Sequence, residues 1–212
     1  MIKLLLIGDS HVPKRAMGIS DHIQNKLKEL AKLDLFEYTF FTGDEINYPQ
    51  FMKLLNLITK KDVYRVIGNM DYYYGNRASP LYQEHEFRFY TGEILLIGLT
   101  HGAEIEPRGD KTQLELLAIE KKCNILISGH THKEEVFLTK NGILLLNPGS
   151  ITGAWSFVAS QIPSFIILNI HTDNKGIDVF LFQLDKESEE INENDYFFFF
   201  EKNKIFSKFK LG

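Results

Sequence analysis

Five apolar, strand-like runs in this chain each end at a corner that combines glycine with an acidic, amide or imidazole side chain. The corners read GDSH, GD, GNMD, THG and GHTH in chain order. Glycine lets the backbone turn sharply and approach a bound group closely. In open α/β sheets, ligands bind beyond the carboxyl ends of the strands, where loops from several strands meet. The sequence therefore predicts an α/β fold in which five distant corners meet at one rim.

The first third of the chain alternates between strand-like and helix-like segments. A continuous apolar run at residues 2–7 is typical of a strand that is covered on both faces. Ser20 is expected to cap a helix, because Ile23, Leu27 and Ala31 recur at helical spacing after it. This βαβαβ order implies a parallel sheet with right-handed crossovers. The other elements expected here are a strand at 36–44, a helix at 49–58 and a strand at 62–71.

Later in the chain, strand-like segments pair mainly with each other. Hairpins are expected at 86–102 and 134–150, and the Asn141–Gly142 pair in the second favours a type I′ turn. We therefore expect one α/β domain in which two mixed sheets face each other and helices lie outside. The remaining expected elements are a helix at 111–122 and strands at 124–130, 164–170 and 176–182.

Composition limits the kind of protein and its partners. The chain has 212 residues, 44% of them hydrophobic, which suits one large globular domain. A net charge of −4 makes nucleic acid an unlikely partner, and no apolar run is long enough for a membrane span or a signal peptide. Cys123 is the single cysteine, which fits a reducing compartment. We expect a cytoplasmic protein that does not associate with membranes.

Residues 186–212 differ from the predicted domain at 1–185, being first acidic and then aromatic and basic. The four phenylalanines at 197–200 are expected to be covered, by the domain itself or by a second copy in a homo-oligomer. The alternative is an arm that binds a membrane surface or nucleic acid. The lysines available to such an arm are Lys202, Lys204, Lys208 and Lys210.

The polar residues at the five corners are suited to binding metal ions. Carboxylate, imidazole and amide donors suit Mn²⁺, Fe, Zn²⁺, Ni²⁺ or Co²⁺, and no thiolate is available at the corners. There are enough donors for two ions that hold a bridging hydroxide and clamp a phosphoryl group. We expect Asp71 to orient a ligand from outside the ligand set. The expected sets are Asp9, His11 and His132 for one ion, Asn69, His101 and His130 for the other, and Asp44 as the bridge.

The ordered set of corners resembles the signature of the calcineurin-like metallophosphoesterases. The small size and the segment Asn147–Ser150 (NPGS) resemble, more narrowly, the YfcE-type phosphodiesterases and the phosphodiesterase-like subunit of retromer. This resemblance covers about residues 1–185. It implies a four-layered α/β/β/α sandwich, two divalent metal ions and the ligand assignment given above. Manganese is the expected metal, with Ni, Zn, Fe, Co or Mg as alternatives.

Two positions depart from the family pattern. Many relatives have a histidine where this chain has Met70, and there it helps to protonate the leaving group or stabilise charge. Methionine can do neither, so a contribution of typically ~10²–10⁴-fold is lost or comes from water. A preference for phosphodiesters with good leaving groups is therefore expected. Several small relatives also have a further histidine where this chain has Ala103.

Two functions remain open. The first is a metal-dependent phosphodiesterase acting on a small phosphate ester or nucleotide. The second is a scaffold that keeps the phosphoesterase fold, binds protein partners and has weak or no catalysis. The complete ligand set favours the enzyme. The residues expected to act in catalysis are Asp44, Asn69, His101 and His130.

Overall fold

The computed structural model describes residues 1–208. Strands dominate, and the helices are short and lie in the first 120 residues. The helices are α1 (Asp21–Leu33), α2 (Pro49–Ile58), α3 (Asn69–Tyr73) and α4 (Lys111–Glu120). The strands are β1 (Ile2–Ile7), β2 (Tyr38–Phe41), β3 (Val63–Arg65), β4 (Tyr82–Arg88), β5 (Ile94–Thr100), β6 (Ile125–Ile127), β7 (Glu134–Leu138), β8 (Leu144–Pro148), β9 (Ser164–Ile170), β10 (Gly176–Leu184), β11 (Ile191–Glu201) and β12 (Lys204–Ser207).

The strands form two mixed sheets. The first has seven strands in the order β12-β11-β10-β9-β1-β2-β3, and the second has five in the order β4-β5-β6-β8-β7. Strands β1, β2 and β3 pair in parallel, as the βαβαβ pattern predicts, and β5, β6 and β8 form the parallel part of the second sheet. The carboxyl ends of these parallel strands carry the polar corners.

Apolar side chains divide the molecule into four layers. Leu4 and Leu6 of β1 belong to the core between the two sheets, whereas the alternating Leu5 and Ile7 pack on the opposite face with helices α1 and α2. Helix α4 covers the outer face of the second sheet. A strand buried on both faces explains the continuous apolar run at residues 2–7. The predicted four-layered sandwich with two mixed sheets is confirmed.

Residues 191–207 form a C-terminal hairpin, made of β11 and β12, at the edge of the larger sheet. Its Phe198, Phe200 and Ile205 are buried in the core between the sheets. The Ile205 N–H also donates to the Gly142 carbonyl of the other sheet at 2.8 Å. The division of the chain at residue 185 stays a prediction, and Lys210 lies outside the described residues.

Two local predictions are wrong. The expected strand at 62–71 ends at Arg65, and α3 begins at Asn69, because the N–H groups of Met70 and Asp71 donate to a carboxylate outside the strand. The second hairpin does not turn through a type I′ turn: of its Asn–Gly pair only Gly142 has a positive φ, +82°. The Thr139 N–H donates to the Ile143 carbonyl at 2.9 Å and leaves a three-residue loop at 140–142, an arrangement in which glycine takes the left-handed position.

No helix within residues 1–208 combines the length and apolar character needed to cross a bilayer.

Candidate metal centre

Seven predicted ligands lie together where β1, β2, β5 and β6 end and α3 begins. Six of them are at most 6% exposed, and Asn69 alone faces solvent. Five have a left-handed backbone, which costs a residue with a side chain roughly 1–2 kcal/mol, so the fold offsets this strain elsewhere. The left-handed residues are Asp9 (φ 51°), His11 (φ 50°), Asp44 (φ 55°), His130 (φ 67°) and His132 (φ 58°).

Asp9, His11 and His132 form the first group of donors. The Nε2 atoms of His11 and His132 lie 2.9 Å apart, and the Asp9 Oδ1 atom lies 3.4 Å from the His132 Nε2. All three donor atoms fall within 4.8 Å of one another. This is the group that the sequence assigned to one ion.

Asp44, Asn69, His101 and His130 form the second group. The His101 Nε2 lies 3.0 Å from the Asn69 Oδ1, 3.2 Å from the His130 Nδ1 and 3.5 Å from the Asp44 Oδ2. The same Asp44 oxygen lies 3.3 Å from the His11 Nε2, so it is near both groups. Donor atoms of Asp9, Asp44 and His101 also fall within 4.8 Å of one another. Two carboxylates, rather than Asp44 alone, thus lie between the histidine pairs.

Backbone carbonyls fix the protonation of two histidines. The His101 Nδ1 lies 2.8 Å from the Thr42 carbonyl oxygen, and the His132 Nδ1 lies 2.9 Å from that of Ala154. A carbonyl only accepts, so each Nδ1 carries the proton and each Nε2 presents a lone pair. Both lone pairs point into a cluster that already contains carboxylate oxygens. Acceptors that converge without an intervening donor form a site suited to a cation.

Burying this cluster of polar groups without a cation costs free energy. The Asp9 Oδ1 is buried and has no hydrogen-bond partner among the described residues. Burial, followed by the nearby Asp44 carboxylate, raises the pKa of Asp9 well above its usual value. Burial also lowers the pKa of His11 to about 2, of His130 to about 3 and of His132 to about 4, which keeps these imidazoles neutral. Neutral imidazoles and an unsatisfied carboxylate fit divalent metal ions.

Helix α3 holds the Asp44 carboxylate in place. Its Oδ1 accepts from the N–H groups of Met70 at 2.8 Å and Asp71 at 3.2 Å, which leaves Oδ2 toward the histidines. The Asp71 carboxylate in turn accepts from the N–H groups of Asp44, Ile46 and Gly68. Asp71 therefore ties the start of the helix to the Asp44 corner, and it contacts the predicted ligand Asp44 through that residue's backbone N–H.

The NPGS segment braces two of the metal corners. The Asn147 Nδ2 donates to the Gly129 carbonyl and the Thr131 hydroxyl, both at 3.0 Å. The Ser150 hydroxyl donates to the Asp9 carbonyl at 2.7 Å and accepts from the Ala154 N–H. The segment thus connects GHTH, GDSH and the loop that orients His132.

Glycine is required at two corners because there is no room for a side chain. A Cβ at residue 68 would lie 1.9 Å from the Asp44 Oδ1, and one at residue 129 would lie 2.7 Å from the Asp9 Oδ2. Both distances are far inside van der Waals contact. The glycines let the backbone approach the Asp44 and Asp9 carboxylates, whereas the sequence analysis expected a close approach to a bound group.

A cavity of about 220 Å³ opens beside the second group of donors. Its wall includes Asn69 and His101, together with the apolar side chains of Ile67, Leu81 and Ala103. Ala103 is the position where several small relatives have a further histidine. The small side chain leaves apolar space next to two predicted ligands.

Sequence reasoning missed the groups that orient the histidines. Thr42 and Ala154 act through their carbonyl oxygens, which every residue has, so no side-chain pattern marks them. For Ala154 the nearby NPGS segment was an indirect signal. No such signal marked Thr42.

Comparisons with known proteins agree with this fold. The profile of the calcineurin-like phosphoesterase superfamily domain matches residues 2–173. A probable metallophosphoesterase of Methanothermobacter thermautotrophicus is 36% identical over 149 residues, which are 69% of this chain and 76% of that protein. This chain is therefore a member of the calcineurin-like phosphoesterase superfamily.

Solved structures of Vps29 are similar over nearly their whole length. Vacuolar protein sorting 29 from Cryptosporidium parvum superposes with a TM-score of 0.76 at 29% identity, covering 98% of each chain. Wild-type Vps29 from Entamoeba histolytica, solved in complex with Zn²⁺, gives a TM-score of 0.74 at 28% identity over 92% of this chain and 99% of that one.

Proposed function

We propose that this protein is a metal-dependent phosphodiesterase with a dinuclear metal site. The observation that carries the proposal is the convergence of buried acceptor atoms from two carboxylates and four imidazoles. The Nε2 atoms of His11 and His132 lie 2.9 Å apart, and the Asp9 Oδ1 lies 3.4 Å from the His132 Nε2. Membership of the phosphoesterase superfamily supplies the reaction class.

The proposed ligands divide between two ions according to which donor atoms lie close together. Asp9, His11 and His132 would hold one ion, Asn69, His101 and His130 would hold the other, and Asp44 lies near both groups. Bound divalent ions supply Lewis-acid polarisation of the phosphoryl group and activation of a water nucleophile. Manganese suits these oxygen and nitrogen donors, and so do Ni, Zn, Fe, Co and Mg. The zinc complex of the Entamoeba Vps29 supports a metal site on this fold.

The side chains around the site have distinct proposed roles in the reaction. His101 and His130, which lie 3.2 Å apart, would hold the ion whose positive charge stabilises the phosphoryl oxygens, and the exposed Asn69 meets the incoming ester. Met70 contributes its backbone N–H to Asp44 and offers no acidic proton. This position therefore supplies no proton to the leaving group, which favours esters of acidic alcohols such as phenols.

The test is hydrolysis of bis(p-nitrophenyl) phosphate after metal removal and re-addition of Mn²⁺. We expect activity to disappear with the metal and to return with Mn²⁺. In Asp44→Asn we expect a loss of about hundredfold or more, because the carboxylate near both groups is gone. The matched control is Asp173→Asn, which removes an exposed carboxylate from the turn between β9 and β10.

Alkyl phosphodiesters provide the second measurement. Because Met70 supplies no proton to the leaving group, we expect alkyl esters to react at least about a hundredfold more slowly than aryl esters. Equal rates for both kinds of ester would contradict the role given to Met70. Turnover that persists unchanged in Asp44→Asn would contradict the metal site itself.

A scaffold function is the second candidate, favoured by the similarity to Vps29 over nearly the whole chain. In that case metal binds without turnover. Absence of hydrolysis with every metal, together with retained metal binding, would support the scaffold over the enzyme. The cytoplasmic location and a homo-oligomer stay predictions under either function.

A further inference from the structure

Two aromatic side chains are exposed beside the metal centre. Trp155 is 52% exposed and Phe157 is 82% exposed, and their ring centres lie 5.0 Å apart. Large apolar side chains that stay in contact with water next to a site often mark a binding surface. We call this pair the aromatic platform.

Hydrogen bonds attach the aromatic platform to the metal-binding loop. The Ala154 carbonyl accepts from the His132 Nδ1 at 2.9 Å, and the Ser156 hydroxyl donates to the Thr131 carbonyl at 2.8 Å. Residues on both sides of Trp155 are thus tied to the GHTH loop, while the two rings remain at the surface. A ligand on the platform is therefore held at a fixed place relative to the metal centre.

Two arginines flank the platform and supply positive charge. The Arg15 Nη1 donates to the Trp155 carbonyl at 3.1 Å, and the Arg108 guanidinium lies 5.9 Å from the centre of the Phe157 ring. Within residues 1–208 neither arginine forms an ion pair with a carboxylate. Guanidinium groups that lack an acidic partner are suited to phosphate oxygens.

The segments that carry these arginines contact the loops of the metal centre. The Arg15 N–H donates to the His11 carbonyl at 2.9 Å. The loop that carries Arg108 also packs on the GHTH loop, since a Cβ at Gly109 would lie 2.7 Å from the Thr131 Cγ2. Both arginines therefore belong to the rim of the same site.

We propose that the aromatic platform stacks on a nucleobase, so that the substrates of this site are nucleotide-type phosphodiesters. This inference rests on the proposed function. Stacking on an aromatic side chain accepts any base, because every base has a π-face. Arg15 and Arg108 bind phosphate oxygens that face the rim, and the metal centre receives the ester to be cleaved.

Trp155 allows a binding test that needs no turnover, because it is the only tryptophan of the chain. The Mn²⁺-loaded protein is titrated with adenosine 5′-monophosphate and, separately, with ribose 5-phosphate. We expect adenosine 5′-monophosphate to quench the tryptophan fluorescence and to bind about tenfold or more tightly than ribose 5-phosphate, since only the former has a base to stack. Equal affinities, or no change in fluorescence, would overturn the proposal.

Phe157→Ala sharpens the test without touching a metal ligand. We expect the advantage of the base-bearing ligand to fall about tenfold in this variant. Tyr90→Ala is the control, because Tyr90 is 83% exposed at the turn between β4 and β5, at the end of the strands away from His101. If Phe157→Ala kept the same ratio of affinities for adenosine 5′-monophosphate and ribose 5-phosphate, the proposed stacking would be overturned.

Kinetics separate this inference from the proposed function. The two substrates are p-nitrophenyl thymidine 5′-phosphate and p-nitrophenyl methyl phosphate, which share a leaving group and differ in the base-bearing part. Hydrolysis of both with equal kcat/KM would overturn the platform and leave the phosphodiesterase standing. Base-selective quenching without hydrolysis of either would overturn the phosphodiesterase and leave the platform as a nucleotide-binding surface.

Discussion

The metal rim and the C-terminal hairpin differ in the kind of side chain that they bury and in their backbone strain. At the rim, six predicted ligands are buried although they are polar, five of them have a left-handed backbone, and the Asp9 Oδ1 has no partner in the described chain. In the hairpin, the buried side chains are apolar, and Phe200 stacks on Phe89 with ring centres 5.2 Å apart. The rim is locally strained and suited to binding, whereas the hairpin contributes stability.

A substitution in the hairpin gives the largest expected change in stability. Phe200→Ala removes a ring that is 2% exposed, and we expect the free energy of unfolding to fall by about 3–5 kcal/mol. Chemical denaturation measures this. We expect metal affinity of the folded fraction to stay unchanged.

The control is Phe206→Ala, because this ring is 40% exposed on the outer face of the same hairpin. We expect less than about half the loss, since less apolar area leaves the interior. Equal losses in the two variants, or a large fall in metal affinity in Phe200→Ala, would remove the contrast between the hairpin and the rim.

A substitution at the rim has the opposite signature. In Gly68→Ala the new Cβ collides with the Asp44 carboxylate, and we expect metal affinity to fall by roughly 10–100-fold. Calorimetric titration with Mn²⁺ measures this. Gly18→Ala is the control, because there a Cβ meets only the Tyr48 hydroxyl, at 3.4 Å. Wild-type affinity in Gly68→Ala would refute the close approach at this corner.

The pH dependence of metal binding gives the smallest effect, at most about tenfold per pH unit for each proton released. Because burial and the Asp44 carboxylate raise the pKa of Asp9, protons compete with the metal for this carboxylate up to a higher pH than usual, and affinity rises as pH rises through that pKa. Protons on His11, His130 and His132 do not compete with the metal above about pH 5, since the pKa values of these residues are lowered to about 2, 3 and 4. Calorimetry in buffers of different ionisation enthalpy counts the protons. Binding without proton release would contradict this account.

Most of the fold can be predicted from the sequence because buried faces of strands and helices give regular patterns of apolar residues. The run at residues 2–7 indicated a strand covered on both faces, and Ser20 caps α1 by accepting from the His22 N–H, as its position before the helix predicted. The end of β3 could not be predicted from the pattern of apolar residues. There the chain leaves the strand because Asp44, distant in sequence, accepts from the first N–H groups of α3.

The site is predictable in its side chains and less so in its geometry. The glycine corners indicated where the ligands meet, because each corner directly follows a strand-like run. The left-handed backbone of Asp9 and His130 carries no sequence mark, because such conformations are imposed by packing and by hydrogen bonds from elsewhere in the fold. The Thr42 carbonyl that orients His101 could not be predicted either, since every residue has a backbone carbonyl.

The hairpin has a consequence for how the protein is made. Phe198, Phe200 and Ile205 fill the space between sheets whose first strand is built from residues 2–7. During synthesis, this part of the interior stays uncovered until residue 205 has left the ribosome. A ribosome-stalled chain that ends before residue 191 exposes the apolar side chains that the hairpin would cover, and we expect it to bind chaperones.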